Sequence, residues 1–409
     1  MSDNALSLKQ NMLWNSVGSI VYLACQWLLT VVVVRLSTDY SAAGLLSLAM
    51  SIGNIFTPFA IYKMRTIQVS DVEHKYSAGQ YMGFRFLTVF LAFSGCMVYA
   101  ALTCQPSALL PIALYIAYKA VDIIIDVMHG VDQQHMRMDY IGKSQILRGL
   151  LTLVAFTVSM ALTSNLELSL CLMIAVTLPA AFFYDRPKAG QFEALVPRFD
   201  VGLFVHLLVK CLPAVIAAIM CSAVLTIPRQ YLSATFGDEC LGIYASVASP
   251  VVIVQMGATY LYTPLLGEFS SLFSNKNSKG FIALLVKVSL GIVLIALICE
   301  LVFALFGEWG LVLLYGESIR SYAFLLQPMI VCTIITAFLW FLSDLLIVQR
   351  DFKGNFFGNA LSFACTLPAT YLFVGHFDMN GVSFAGIAAY GIGSIYLLVK
   401  LLKTAKDTR

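Results

Sequence analysis

Long apolar segments recur along the whole chain and are separated by short polar stretches. A helix needs roughly 20 mostly apolar residues to cross a bilayer, and twelve segments meet this requirement. The predicted membrane-spanning helices are 13–36, 41–62, 83–104, 108–130, 144–163, 166–184, 201–226, 242–266, 281–306, 323–349, 355–375 and 381–402. The polar stretches are too short for a soluble domain, so we predict an all-α polytopic membrane protein.

Composition agrees with this class and argues against several others. The chain is 60% hydrophobic and 11% charged, whereas soluble domains carry about 25% charged residues. It contains no P-loop, no Ser-His-Asp set and no Cys or His spacing suited to a metal. We therefore expect no enzyme activity, no cofactor and no metal. The net charge of +3 reflects membrane topology and predicts no nucleic-acid partner.

Lysine and arginine set the predicted orientation, because cytoplasmic loops are enriched in both. With the N-terminus inside, twelve spans place most basic loop residues on the cytoplasmic side. Only Arg35, Arg229 and Arg320 fall in loops on the outer side. The sequence therefore predicts that both termini are cytoplasmic.

Two pairs of similar stretches suggest an internal repeat. Arg35 precedes "GLLSLAMS" and Arg229 precedes "GIYASVAS", while "MRMDYIGKS" and "VQRDFKGNF" share an Arg, an Asp, an aromatic residue and a Gly. Each pair is separated by about half the chain and keeps the same side of the membrane. We predict two pseudo-symmetric six-helix lobes, 1–190 and 191–409.

One predicted helix carries charges where its neighbours are apolar. It reads "YIAYKAVDIIIDVMHGVDQQ" (Tyr115–Gln134), and at 100° per residue its polar side chains, Lys119, Asp122 and Asp126 among them, fall within an arc of about 80°. A charge at mid-bilayer is costly and usually faces the bundle interior or water. The stripe either lines a water-filled cavity or forms internal ion pairs that pack the bundle.

Polar residues on two other helices favour the cavity. Gln26 belongs to a polar face of the first span, and His206 and Lys210 lie one turn apart in the seventh. The alternative for the first span is ordinary packing through small polar side chains. Arg85 and Arg148 lie one turn inside cytoplasmic helix ends, where we expect them to snorkel to the interface.

Three stretches resemble a known family. They are "KAVDIIIDVMHGVDQQHMRMDYIGKSQILRG" (Lys119–Gly149), "IPRQYLSATFGDECLGIYASVASP" (Ile227–Pro250) and "MRTIQVSD" (Met64–Asp71). They resemble the O-antigen and capsule flippases of the multidrug/oligosaccharidyl-lipid/polysaccharide (MOP) exporter superfamily. Asp122 departs from the family pattern, since Glu is more usual there.

The resemblance implies a fold, a function and partners. It implies two six-helix lobes around a central cationic cavity in the bacterial plasma membrane. It implies alternating access that flips an undecaprenyl-diphosphate-linked oligosaccharide to the outer leaflet for export of a surface polysaccharide. Candidate partners are that lipid-linked substrate, membrane lipid, a polysaccharide polymerase and glycosyltransferases. The alternative is a cation-coupled exporter of drugs or small molecules from the same superfamily.

The resemblance also assigns candidate roles to residues. Cations would meet the anionic diphosphate, and acids would hold Lys119, contact sugar hydroxyls or take up a proton. The candidate substrate-binding residues are Lys119, Asp122, Asp126, Lys210, Arg35, Arg229, Gln26 and His206.

Overall fold

The protein is helical throughout its described part. The computed structural model describes residues 6–62, 64–70, 76–262, 265–349 and 351–407, and no strand occurs among them. The chain forms two compact units, Met1–Ile216 and Ala217–Arg409. The predicted all-α class is confirmed, while the predicted lobe boundary at residue 190 stays a prediction.

The described residues of the first unit form eight α-helices, a π-helical segment after α7 and the start of α9. They are α1 (Leu8–Leu36), α2 (Ser41–Ile61), α3 (Met64–Ser70), α4 (Ala78–Thr103), α5 (Pro106–Gln134), α6 (Met138–Thr163), α7 (Leu166–Ala180), the π-helix Ala181–Asp185, α8 (Arg186–Ala189) and α9 (Val201–Phe236). Helix α5 packs against α2, α4, α6 and α7. It is therefore the central helix of this unit.

The described residues of the second unit contain the rest of α9, five further α-helices and a 3₁₀-helix. They are α10 (Asp238–Tyr262), α11 (Leu266–Ser274), α12 (Ser278–Tyr315), a 3₁₀-helix Glu317–Leu325, α13 (Leu326–Val348) and α14 (Phe352–Asp407). Its core is apolar and is built mainly by α12, α13 and α14, with Phe341 and Leu342 fully buried.

Ten helical segments of the described chain are long and apolar enough to cross a membrane. One of them, Phe352–Thr404, contains two predicted spans, because Asp378 interrupts α14 with a φ of 49° and a ψ of −124°. Helix α10 covers the remaining predicted span, 242–266, as far as Tyr262, and residues 263–264 lie outside the described part. Eleven of the twelve predicted spans thus coincide with segments able to cross a membrane.

Helix boundaries follow from local capping that hydropathy does not report. Helix α4 begins five residues before the predicted span, because Ser77 and Gln80 form a capping box. Ser7 and Gln10 form the same motif at α1. The short helices α3 and α11 were not predicted, since neither is long enough to produce a spanning pattern.

Glycine allows the closest helix contact in the first unit, between α1 and α6. A Cβ on Gly142 would overlap the carbonyl oxygen of Trp14, and a Cβ on Gly18 would overlap Gly142 itself. Small residues let membrane helices approach closely where no hydrophobic effect drives them together. The α1–α6 pair therefore depends on these two glycines.

Gly142→Ala should destabilise the protein by about 1–3 kcal/mol, because α1 must move to admit the methyl group. Thermal unfolding in detergent measures this loss. Gly391→Ala is the matched control, since nothing lies within 4 Å of a Cβ on Gly391. The control should be neutral or slightly stabilising, because alanine favours helix over glycine. Equal unfolding temperatures for the two variants would contradict this account of the α1–α6 contact.

The segment between α8 and α9 docks onto the start of α4. The backbone N–H of Arg198 donates to the Gly79 carbonyl over 2.8 Å, and the N–H of Ala78 donates to Glu193 over 2.9 Å. A Cβ on Gly79 or Gly83 would overlap the backbone of this segment. The start of α9 continues the contact, where the Tyr62 hydroxyl donates to the Leu208 carbonyl over 2.8 Å. Residues 193–208 are thus part of the first unit's packing.

Candidate functional site

The charged stripe of α5 forms ion pairs inside the first unit, and Asp122 is at the centre of the first group. One carboxylate oxygen binds Arg148 of α6, and the other accepts a hydrogen bond from the Tyr22 hydroxyl over 2.8 Å. The Lys119 ammonium lies 3.8 Å from that second oxygen. Asp122 therefore has three partners from three helices, and only Lys119 is on its own helix.

Tyrosine rings surround Lys119. Its Nζ lies 5.3 Å from the ring centroid of Tyr118, 5.9 Å from that of Tyr115 and 6.0 Å from that of Tyr22. Gln26 of α1 joins this group, because its side-chain amide donates to the Tyr118 hydroxyl over 3.1 Å. Ring faces attract a cation without neutralising it, so the Lys119 charge stays available to an anion.

Asp126, one turn further along α5, is the centre of the second group. Its two oxygens bind Arg65 of α3 and Arg85 of α4, each over 3.0 Å. Arg85 also donates to the carbonyl oxygens of Ala60 and Ile61 over 2.9 and 2.7 Å. These carbonyls belong to the last turn of α2, whose acceptors have no partner within the helix. Arg85 therefore caps the C-terminal end of α2 and at the same time pairs with Asp126.

The two groups contain more positive than negative charge. Lys119 and Arg148 share the carboxylate of Asp122, while Arg65 and Arg85 share that of Asp126. Four cations and two acids leave an excess of two positive charges along one face of α5. Such an excess attracts an anion into the interior of the first unit.

The four cations differ in how far they are buried. The side chains of Arg85 and Arg148 are 0% and 4% exposed, whereas those of Lys119 and Arg65 are 24% and 27% exposed. Lys119 also lines a small, mostly apolar cleft between α2, α4 and α5. The buried arginines hold the acids in place, and the partly exposed pair, Lys119 and Arg65, can reach a ligand.

The other predicted site residues are not part of these two groups. Arg35 is exposed in the last turn of α1, and His206 is exposed on α9. Arg229 belongs to the second unit, where its guanidinium lies 5.8 Å from the Tyr244 ring centroid. The Lys210 side chain lies outside the described residues.

Sequence reasoning missed Arg65, Arg85 and Arg148. The prediction that Arg85 and Arg148 snorkel to the interface is wrong, because both side chains are buried against acids of α5. The proposed pairing of Asp126 with Lys119 is replaced by its contacts with Arg65 and Arg85. A buried acid needs a partner, so the presence of Asp126 in an apolar helix was the available signal.

Comparison with known sequences gives one distant relative in agreement with the motifs. No family model matches the chain. The capsular polysaccharide biosynthesis protein CapF of Staphylococcus aureus is 22% identical over 372 residues, which is 90% of this chain and 92% of CapF.

Solved structures share the whole fold at low sequence identity. A MATE-family multidrug resistance transporter of the MOP superfamily, in its inward-facing conformation, matches with a TM-score of 0.71 and 10% identity, over 95% of this chain and 99% of that one. The lipid II flippase MurJ, in an inward closed conformation, also matches with a TM-score of 0.71, at 11% identity, over 97% of this chain and 90% of that one.

These matches define the class of the protein. It is an integral membrane protein that shares its fold with a MATE-family transporter of the MOP superfamily and with the flippase MurJ, in agreement with the fold that the motifs predicted. Both of these structures, which match over nearly the whole chain, are of transport proteins, one a multidrug resistance transporter and the other a lipid flippase.

Proposed function

We propose that the protein flips a lipid-linked oligosaccharide, joined to undecaprenol through a diphosphate, from the cytoplasmic to the outer leaflet of the bacterial plasma membrane. The flipped oligosaccharide serves export of a surface polysaccharide. The observation that carries the proposal is the excess of two positive charges in the two ion-pair groups around Asp122 and Asp126.

The excess positive charge suits the diphosphate head group, which is the part of this substrate that crosses a membrane least easily. A diphosphate with attached sugars must cross about 30 Å of hydrocarbon, in which it does not dissolve. Lys119 provides a compact charge and Arg65 a planar donor set, and both ion types bind phosphate oxygens. Sugar hydroxyls find hydrogen-bonding groups among the tyrosines near Lys119. In this proposal the lipid tail stays in the bilayer while the head group passes through the protein by alternating access.

The relatives support the same substrate class. One takes part in capsular polysaccharide biosynthesis, and another flips lipid II. A flippase of this kind would act with glycosyltransferases that build the substrate and a polymerase that consumes it. The proposal places both termini and the region of Gly190 in the cytoplasm, which reporter fusions at Gly190 and at the C-terminus would test.

A cation-coupled exporter of drugs or small molecules is the second candidate, because a MATE transporter matches the fold as well as the lipid flippase does. A site for cationic drugs requires an excess of acids. The two ion-pair groups around Asp122 and Asp126 have the opposite balance, with four cations and two acids, which favours an anionic substrate.

Vesicles containing the purified protein separate these two candidates. We expect the protein to move a fluorescent diphosphate-linked lipid oligosaccharide across the vesicle membrane, and inorganic diphosphate to compete with it. A cationic dye should be moved no faster than by empty vesicles. Transport of the dye without transport of the lipid would favour the drug exporter and end the flippase proposal.

A further inference from the structure

A second set of ionisable residues lies at the C-terminal end of α5, beyond the two ion-pair groups of Asp122 and Asp126. We call it the acid–histidine cluster, and it consists of His129, Asp132 and Asp185. All three side chains are buried, and Asp132 is only 1% exposed. The His129 Nε2 lies 3.2 Å from an Asp185 oxygen. Asp132 lies one turn after His129, so the two share a face of the helix.

Three of the four carboxylate oxygens in this cluster lack a hydrogen-bond donor, whereas both oxygens of Asp122 and of Asp126 have one. Both side-chain oxygens of Asp132 and the second oxygen of Asp185 are buried without a hydrogen-bond partner. Buried polar atoms in folded proteins nearly always have a partner, and those that lack one call for an explanation. Three such oxygens in one buried cluster make it a favourable place for a positively charged species.

A π-helical backbone segment places Asp185 in the cluster. Asp185 is the last residue of the π-helix Ala181–Asp185, which continues α7 and packs against α5. Segments of π-helix are rare and are frequent at functional sites, because they change which side chains face inward. The same segment that breaks the regular helix thus supplies the acid that faces His129.

The nearby cations are already bound to other acids. The charged groups that act on Asp132 are Asp185, Asp139, Arg137 and Arg65. Arg137 binds Asp139 with two hydrogen bonds of 2.8 and 3.1 Å, and Arg65 binds Asp126 and Gln133. The other charged groups near His129 are Asp185 on the π-helix, Arg148 on α6 and Asp122 on α5, and Arg148 is itself bound to Asp122. Two acids of the cluster are therefore left with one histidine between them.

We propose that the acid–histidine cluster is a proton-binding site, in which Asp132 takes up the proton beside the paired His129 and Asp185. Binding converts the Asp132 carboxylate to a carboxylic acid, so one unpartnered acceptor becomes a donor and one buried negative charge is removed. A proton fits better than a metal ion, because the described residues contain no group of three His, Cys, Asp or Glu side chains able to hold a metal.

The site has a direct consequence for α5. Uptake or loss of one proton changes the charge at the end of the helix that carries Lys119 and Asp122. The cluster is thus placed where a proton gradient can act on the first unit. This inference concerns proton binding alone and does not depend on which substrate the protein moves.

Infrared difference spectroscopy of the purified protein in lipid nanodiscs tests the site. We expect the wild-type protein to show the C=O band of a buried, protonated carboxyl group, and this band should disappear as the pH is raised. Asp132→Asn should lack the band entirely. Asp200→Asn is the matched control, because Asp200 is an exposed acid of the same unit, and it should keep the band.

Further outcomes decide the proposal even if one variant folds poorly. Asp132→Glu keeps a carboxyl group and should shift the band rather than remove it. A band unchanged in both Asp132 variants would assign the proton to another residue and overturn the proposal. A wild-type spectrum without the band, or one that responds to sodium and not to pH, would also overturn it. These readouts need no transport, so failure here leaves the flippase proposal standing.

Discussion

Replacing Lys119 with methionine should abolish export of surface glycan while the protein still accumulates in the membrane at its normal level. Asp122 keeps two partners in this variant, because Arg148 binds one oxygen and the Tyr22 hydroxyl donates to the other over 2.8 Å. Methionine has a similar length and no charge, so the tyrosines around it remain packed. What is lost is one of the two accessible cations of the ion-pair groups, Lys119 and Arg65. Surface glycan and membrane abundance, measured in a strain lacking the native gene, test the expectation.

Lys143→Met is a matched control for this experiment. Lys143 also binds an acid that has a second cation, since Asp139 stays bound to Arg137 when Lys143 is removed. The two variants thus make the same Lys→Met change, and each leaves its aspartate paired with an arginine. Only the variant in the stripe should lose export. Full surface glycan from Lys119→Met would end the idea that its charge serves transport and would leave the packing interpretation.

Replacing Arg85 with methionine should remove most of the protein from the membrane. The Arg85 side chain is 0% exposed and holds both the last carbonyls of α2 and one oxygen of Asp126. Asp126 keeps Arg65 in this variant, and the Ala60 carbonyl keeps the Thr88 hydroxyl as a donor. The Ile61 carbonyl loses its donor at the buried end of α2, and an unsatisfied buried acceptor costs about 1–3 kcal/mol. Membrane abundance and thermal unfolding in detergent measure this effect.

Arg65→Met removes a partly exposed cation from the same ion-pair group and therefore distinguishes loss of charge from loss of a buried side chain. Arg65 binds the other oxygen of Asp126, but its side chain is 27% exposed. Its loss leaves Asp126 bound to Arg85, so abundance should stay near normal while export falls. If Arg85→Met accumulates as well as Arg65→Met does, the structural role assigned to Arg85 is wrong.

The membrane spans could be predicted from the sequence because a bilayer imposes one dominant requirement, a long apolar segment. The polar face of α5 could be predicted for a similar reason, since helical periodicity puts Lys119, Asp122 and Asp126 on one side. Both inferences use information contained within a single segment.

The partners of these acids could not be predicted in the same way. Arg65, Arg85 and Arg148 come from three other helices, and which helices face α5 is a property of the packing. Position in the sequence was misleading here, because Arg85 and Arg148 lie near helix ends where long cations often reach the interface. The acid–histidine cluster was hidden for a related reason, since a π-helix turns Asp185 inward and hydropathy carries no sign of it.

The docking of residues 193–208 onto α4 has a consequence for how the protein is made. A membrane protein is inserted from its N-terminus as the ribosome extends the chain. The surface around Gly79 and Gly83 stays uncovered until this later segment has been synthesised, although α4 itself is inserted long before. A chain released at residue 190 would contain every helix that contributes to the two ion-pair groups and would still lack the segment that covers α4. Synthesis of the first unit therefore ends only after the start of α9 has left the ribosome, and quality control in the cell has an incomplete surface to recognise until then.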